Sequence, residues 1–132
     1  MALTMKKIIQ TEQAPAPIGP YSQAVLINNT LYTSGQIAID PSSGNLIMDS
    51  ISEETKRVME NLKAVLSAAQ MSFEHVVKTS IFLSDMNNFN EVNNVYASYF
   101  NEAVAPARET VQVAVLPKRV NVEISMIAVK HD

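Results

Sequence analysis

The chain has 132 residues, of which 47% are apolar and 17% charged, with a net charge of −3. That suits one compact domain over residues 1–132, with residues 1–5 as a flexible start and Met5 as a second possible initiator. It also argues against binding of a phosphate backbone as the main activity, since such binding needs clustered Lys and Arg and only Lys6-Lys7 and Lys118-Arg119 occur as dipeptides.

The absence of cysteine excludes disulfides, thiolate catalysis and Cys-ligated zinc, and is compatible with the cytoplasmic location we expect. The two histidines, His75 and His131, lie far apart and give no metal-ligand spacing and no basis for a Ser-His-Asp triad. No apolar run reaches the roughly 18 residues of a membrane-spanning helix.

Residues 6–10 read as an edge strand. Residues 14–20, with three prolines, read as an ordered extended loop. Strands are expected over 21–27 and 31–34, joined by an Asn28-Asn29 turn, because asparagine tolerates the left-handed region. Gly35 interrupts the second of these, as a bulge or a close approach of backbone to ligand, and 36–39 resumes it.

Apolar residues recur at three- and four-residue steps from Ile51 to Ala69, which predicts a helix opened by a Ser50/Glu53 capping box. Its other face, with Glu53, Glu54, Lys56, Glu60 and Lys63, is expected to be solvated. Residues 76–83 read as a buried strand. A second helix is expected over about 89–101, capped by Asn88 with Glu91, its stripe of Phe89, Val92, Val95, Tyr96, Tyr99 and Phe100 reading as core. Strands over 109–115 and 120–129 complete a β-β-β-α-β-α-β-β order. That is an α+β domain with a mixed sheet and two helices on one face.

Strand alternation sorts the last two strands by face. Arg108, Thr110 and Gln112 share one side, with Glu109, Val111, Val113 and Val115 on the other. In the last strand Val120, Val122, Ile124, Met126 and Ala128 form a continuous core face. Asn121, Glu123 and Ser125 lie opposite, followed there by Ile127 and Val129. A polar patch followed by apolar residues on a second face points to a homo-oligomer with an interfacial pocket. Arg108 offers a bidentate fork for a carboxylate and Glu123 a group that holds or deprotonates water. Spacing alone equally allows Arg108 and Glu123 to pair with each other as a structural ion pair. Tyr21, likewise, reads from spacing alone as a buried aromatic. No dinucleotide, P-loop or nucleophile-elbow motif occurs.

Gly19-Pro20-Tyr21-Ser22-Gln23, Thr33-Ser34-Gly35-Gln36-Ile37, Asn93 before Tyr96, Pro106-Ala107-Arg108, and Leu116-Pro117-Lys118 leading into Glu123-Ile124 resemble the RidA (YjgF) family of enamine/imine deaminases, over about residues 6–130. The resemblance implies a chorismate-mutase-like fold and a homotrimer with clefts between subunits. It also implies hydrolysis of 2-imino acids or their enamine tautomers to 2-keto acids and ammonia, without metal or organic cofactor; a nucleic-acid or membrane partner is not expected, from the acidic charge and the lack of a long apolar run. It places Arg108, Glu123 and Tyr21 in catalysis and Ser34, Gly35, Asn93 and Thr110 in substrate binding. Glu109-Thr110 departs from the Ser-Cys common after the family's arginine. A rival reading keeps the trimeric clefts as a non-catalytic module that holds small keto acids. A third, an endoribonuclease or translation inhibitor, is disfavoured by the acidic charge.

Overall fold

The computed structural model describes residues 5–131, so most of the expected flexible start lies outside the described residues. The elements are β1 (Lys6–Ile9), β2 (Ala24–Ile27), β3 (Thr30–Thr33), α1 (Ile51–Ala68), β4 (Val76–Leu83), α2 (Phe89–Ala97), β5 (Ala107–Gln112) and β6 (Val122–Val129). Their order is the one expected. They form one six-stranded sheet in the order β1-β2-β3-β6-β4-β5. Only β4 and β5 run parallel; the other neighbours are antiparallel. The last strand of the chain therefore lies in the middle of the sheet.

Local chemistry sets the boundaries. Ser50 Oγ accepts the Glu53 backbone N–H at 3.0 Å and opens α1. The helix closes where Gln70, at φ 60°, takes the left-handed position usually given to glycine. There Met71 N–H reaches Leu66 O and Gln70 N–H reaches Ser67 O, satisfying the last carbonyls. Val58, Met59, Leu62, Val65 and Leu66 are fully buried against the sheet, as the periodicity requires. Val122, Ile124, Met126 and Ala128 of β6 supply the facing layer, none more than 2% exposed.

Several boundaries differ from the sequence reading. β5 starts at Ala107 and ends at Gln112, because its ladder partner β4 ends at Leu83, opposite Gln112. β6 starts at Val122, because Lys118 and Arg119 both have positive φ and turn the chain just before it. α2 stops at Ala97; Ser98 Oγ donates to the Val95 carbonyl at 2.6 Å and offers the backbone an alternative to another turn. Asn88 makes no side-chain cap; Asp85 accepts from Asn87 N–H instead and opens a short 3₁₀ turn ahead of α2. Residues 36–39 form only isolated bridges, Gln36 with Ile124 and Ile39 with Leu46. Residues 21–23 stay outside β2. Glu54, expected on the solvated side of α1, is fully buried.

The helices cover one face of the sheet. The other face carries Ile8, Tyr32 and Val111, each 41–50% exposed, with Val25, Phe82 and Ile127 partly buried. Lys78 and Glu109 pair on this face at 2.5 Å, and Ser80 hydrogen-bonds the same carboxylate. That ion pair and hydrogen bond hold the Glu109 carboxyl below its ordinary range.

Candidate active site

β4 separates β5 from β6, so Arg108 and Glu123 are not on adjacent strands. Arg108 is opposite Thr79, which is opposite the core residue Met126; Glu123 is opposite Phe82, which is opposite Val111. Thr79 and Phe82 are three residues apart and so point to opposite faces. Within one chain Arg108 therefore lies on the helix side and Glu123 on the open side. The structural ion pair that spacing allowed is overturned. The sequence-derived site falls into two halves.

The first half gathers Tyr21, Ser34, Gly35 and Glu123 around a cleft of about 300 Å³, walled also by Ile18, Ile37 and Pro117. Glu123 is partly buried, and its carboxylate has no hydrogen-bond or ion-pair partner among the described residues. Burial alone raises its pKa above the ordinary carboxylate value, because nothing compensates the lost hydration. Such a group can take a proton from water more readily than an exposed glutamate can. Gly35 leaves the Glu123 carboxylate its place: a Cβ at this position would lie 2.6 Å from Glu123 Oε2 and 2.8 Å from its Cδ, so a larger residue fits only if that side chain withdraws.

The neighbouring backbone is pinned at both sides. Gln36 N–H donates to Ile124 O at 2.8 Å, and Ile124 N–H donates back to Gln36 O at 3.1 Å. Ser34 Oγ donates to Ser22 O, so only its lone pairs remain for a ligand. Tyr21 is 48% exposed, not the buried aromatic that spacing allowed. Its hydroxyl accepts Ile18 N–H at 3.3 Å, which leaves its own proton free to donate.

The second half is built on α2 and β5. Arg108 Nη1 donates to Asn93 Oδ1 at 2.7 Å. The guanidinium carbon lies 5.1 Å from the Tyr96 ring centre and 5.6 Å from that of Phe89. These contacts restrain a long side chain at the edge of an open cleft of about 650 Å³ and leave its other N–H donors available. Tyr96 is itself held by its hydroxyl, which donates to Thr79 Oγ1 at 3.0 Å. Asn93 thus acts on Arg108. Thr110, two residues along the same face of β5, has a buried Oγ1 with no partner. A buried hydroxyl without a partner costs about 1–3 kcal/mol.

Sequence reasoning missed the residues that hold these walls. Gln23, 2% exposed, donates through Nε2 to Thr11 O, Ala14 O and Pro15 O and accepts Thr11 N–H, clamping the proline-rich loop that carries Tyr21. Asn61, fully buried, donates to Ile37 O and Ile39 O and accepts Arg57 Nε, fixing the segment after Gly35. Phe89 and Tyr96, expected as core, do pack in or against it, and they also present their rings to the Arg108 guanidinium. The signal was available in each case: Asn61 falls in the apolar stripe of α1 at the right step from Val58 and Val65, and Phe89, Asn93 and Tyr96 follow one another at four- and three-residue steps.

Comparison with known proteins identifies the family. The family model described as Endoribonuclease L-PSP matches residues 11–130. A RutC family protein of Synechocystis is 53% identical over 128 residues, covering 96% of this chain and 98% of that one. The mouse 2-iminobutanoate/2-iminopropanoate deaminase is 48% identical over 130 residues, 98% of this chain and 96% of that one. The structure of Escherichia coli TdcF with bound serine superposes with a TM-score of 0.89 at 42% identity, covering 95% of this chain and 99% of that one. With the family model spanning nearly the whole domain and the fold shared, the chain belongs to the RidA (YjgF) family, the group whose model is described as Endoribonuclease L-PSP.

Proposed function

We propose that the protein is an enamine/imine deaminase that hydrolyses 2-imino acids to 2-keto acids and ammonia, in clefts formed between copies of a homotrimer. The observation that carries this is the division of the site. Arg108 and Glu123 face opposite sides of one sheet, each on an open cleft, and in this reading a second copy brings them together. The uncovered sheet face with Ile8, Tyr32, Val111 and Phe82 supports such an assembly. The mouse relative's activity and the amino acid bound to TdcF support a small amino-acid-like ligand.

In this reading Arg108 grips the substrate carboxylate with the N–H groups that Asn93 does not use. Glu123 takes a proton from a water that attacks the iminium carbon. Tyr21 donates to the intermediate, and backbone groups at Gly35 and Thr110 orient the nitrogen and the water. Protonated Glu123 then gives its proton to the carbinolamine nitrogen, the C–N bond breaks as ammonia leaves with its electron pair, and the hydroxyl proton passes back to Glu123 as the C=O bond of the keto acid forms. The uncatalysed reaction is fast, so positioning and electrostatics supply what is needed.

The test uses an amino-acid oxidase to generate fresh imine and follows its loss. Wild type should accelerate it, and Arg108→Ala and Glu123→Gln should each abolish the acceleration. Refolding the two variants together should restore it. Random mixing gives each intersubunit cleft about one chance in four of receiving both intact residues from different copies. An active wild type with no recovery in the mixture would place both residues in one subunit's site. No acceleration by wild type would leave the non-catalytic binding module.

A further inference from the structure

Glu54 is the only charged side chain fully buried among the described residues, and the chemistry above does not use it. It rises from the first turn of α1, where a negative charge is favoured by the helix dipole. Its Oε2 accepts the backbone N–H of Asn121 at 2.8 Å and of Val122 at 3.0 Å, and its Oε1 accepts Asn121 Nδ2 at 2.8 Å. Asn121 is tied in turn to the end of β4: Ser84 Oγ donates to its Oδ1 at 3.2 Å, and Ser84 N–H donates to its carbonyl at 3.1 Å. A buried carboxylate is costly, and an apolar side chain of similar volume often stabilises as well or better. What this carboxylate does that an apolar group could not is fix the backbone at residues 121 and 122. The next residue is Glu123. The residue after it, Ile124, is fixed by Gln36. Glu123 sits between two clamps, while its own carboxylate has no hydrogen-bond or ion-pair partner among the described residues.

We propose that Glu54 is a positioning residue that holds the entrance of β6 and so aims the Glu123 carboxylate into the cleft. This rests on the reading of Glu123 as the group that activates water.

The decisive variants are Glu54→Asp, which keeps the charge and loses the reach, Glu54→Gln, which turns an amide NH₂ toward that of Asn121, and the pair Glu54→Gln/Asn121→Asp, which restores donor to acceptor. Each single variant should lower kcat for imine hydrolysis about 10- to 100-fold, the scale of a displacement of about 1 Å at a reacting centre. Keto-acid affinity should hardly change, and the pair should recover kcat. A readout independent of activity is the carbon-13 carboxyl signal of Glu123, identified by its loss in Glu123→Gln. It should move in both single variants and return in the pair. A Glu123 signal unmoved in both single variants overturns the inference, as does a kcat loss that follows thermal stability and does not recover in the pair. An inactive wild type would sink the deaminase reading, while the Glu123 signal would still decide the role of Glu54. Should the single variants not fold, the pair must fold with the wild-type signal, and a folded pair with a displaced signal overturns the inference.

Discussion

Gly35→Ala should disable Glu123 without touching it. Gly35 does not use a backbone conformation reserved for glycine, so alanine meets only a steric problem. Its Cβ would lie 2.6 Å from Glu123 Oε2, whereas ordinary contact begins at 3.4 Å. The carboxylate must therefore withdraw by about 0.8 Å, a shift easily made because the clashing atoms end a flexible side chain. A displacement of that size costs up to about 10²-fold in rate, or about 2.7 kcal/mol of transition-state stabilisation. Stability should hold, because alanine also restricts the unfolded chain, by about 0.4–1 kcal/mol relative to glycine. The oxidase-coupled assay should show kcat down by about 10- to 100-fold, with an unchanged melting temperature and near-normal keto-acid binding. A variant with wild-type kcat would refute the reasoning, since the position of Glu123 would then not matter to the reaction.

Truncating Arg108 to alanine should weaken keto-acid binding by about 30-fold or more, the lower end of about 2–5 kcal/mol for losing one partner of a hydrogen-bonded charge pair, and Arg108→Lys should recover less than half of that free energy, as calorimetric titration would show. The pH profile of kcat should fall on acidification through the raised pKa of Glu123, because the deprotonated form is the base, and Glu123→Gln should erase that limb. Stability should move the other way. Between the ordinary carboxylate value and the raised one, the native state holds the proton that the unfolded chain has lost, so this group's contribution falls as pH rises. Melting curves from about pH 4 to 8 should show Glu123→Gln stabilised relative to wild type at the upper end, and equal stabilities throughout would remove the burial argument.

What could be read from the chain is what depends on local periodicity. The α1 stripe, the β4 run and the alternation along β6 each report a neighbour a few residues away, and each element formed, with β6 starting two residues later than its pattern suggested. Alternation also put Arg108 and Glu109 on opposite faces correctly. The order of strands in the sheet was not legible. That β6 would enter between β3 and β4, and that β4 would separate Arg108 from Glu123, depends on pairings between residues far apart in sequence. The assumption that consecutive strands are neighbours failed there, and with it the ion pair. Glu54 failed for another reason. It sits between Ile51 and Val58 at the three- and four-residue steps of the buried stripe, so its geometry marked it as inward, but its charge was allowed to outvote its position.

Gln23, just before β2, and Glu54 and Asn61, both on α1, are buried polar side chains, and each spends most of its hydrogen bonds on main-chain groups of a segment lining or leading into the Glu123 cleft. Loop 11–15, residues 37–39 and the start of β6 all lack regular ladder partners on at least one side, so their backbone groups would otherwise be orphaned next to the core. A side chain that satisfies them also fixes them. The groups proposed to meet substrate keep free capacity among the described residues: Glu123 has no hydrogen-bond or ion-pair partner there, Thr110 Oγ1 has none, and Arg108 keeps donors free beyond Asn93. Rigidity is supplied to the backbone from behind, and hydrogen-bonding capacity is kept at the cleft. That division suits the proposed reaction, which needs little beyond positioning, and the polar residues most exposed to misreading from sequence are the ones that hold the cleft walls in place.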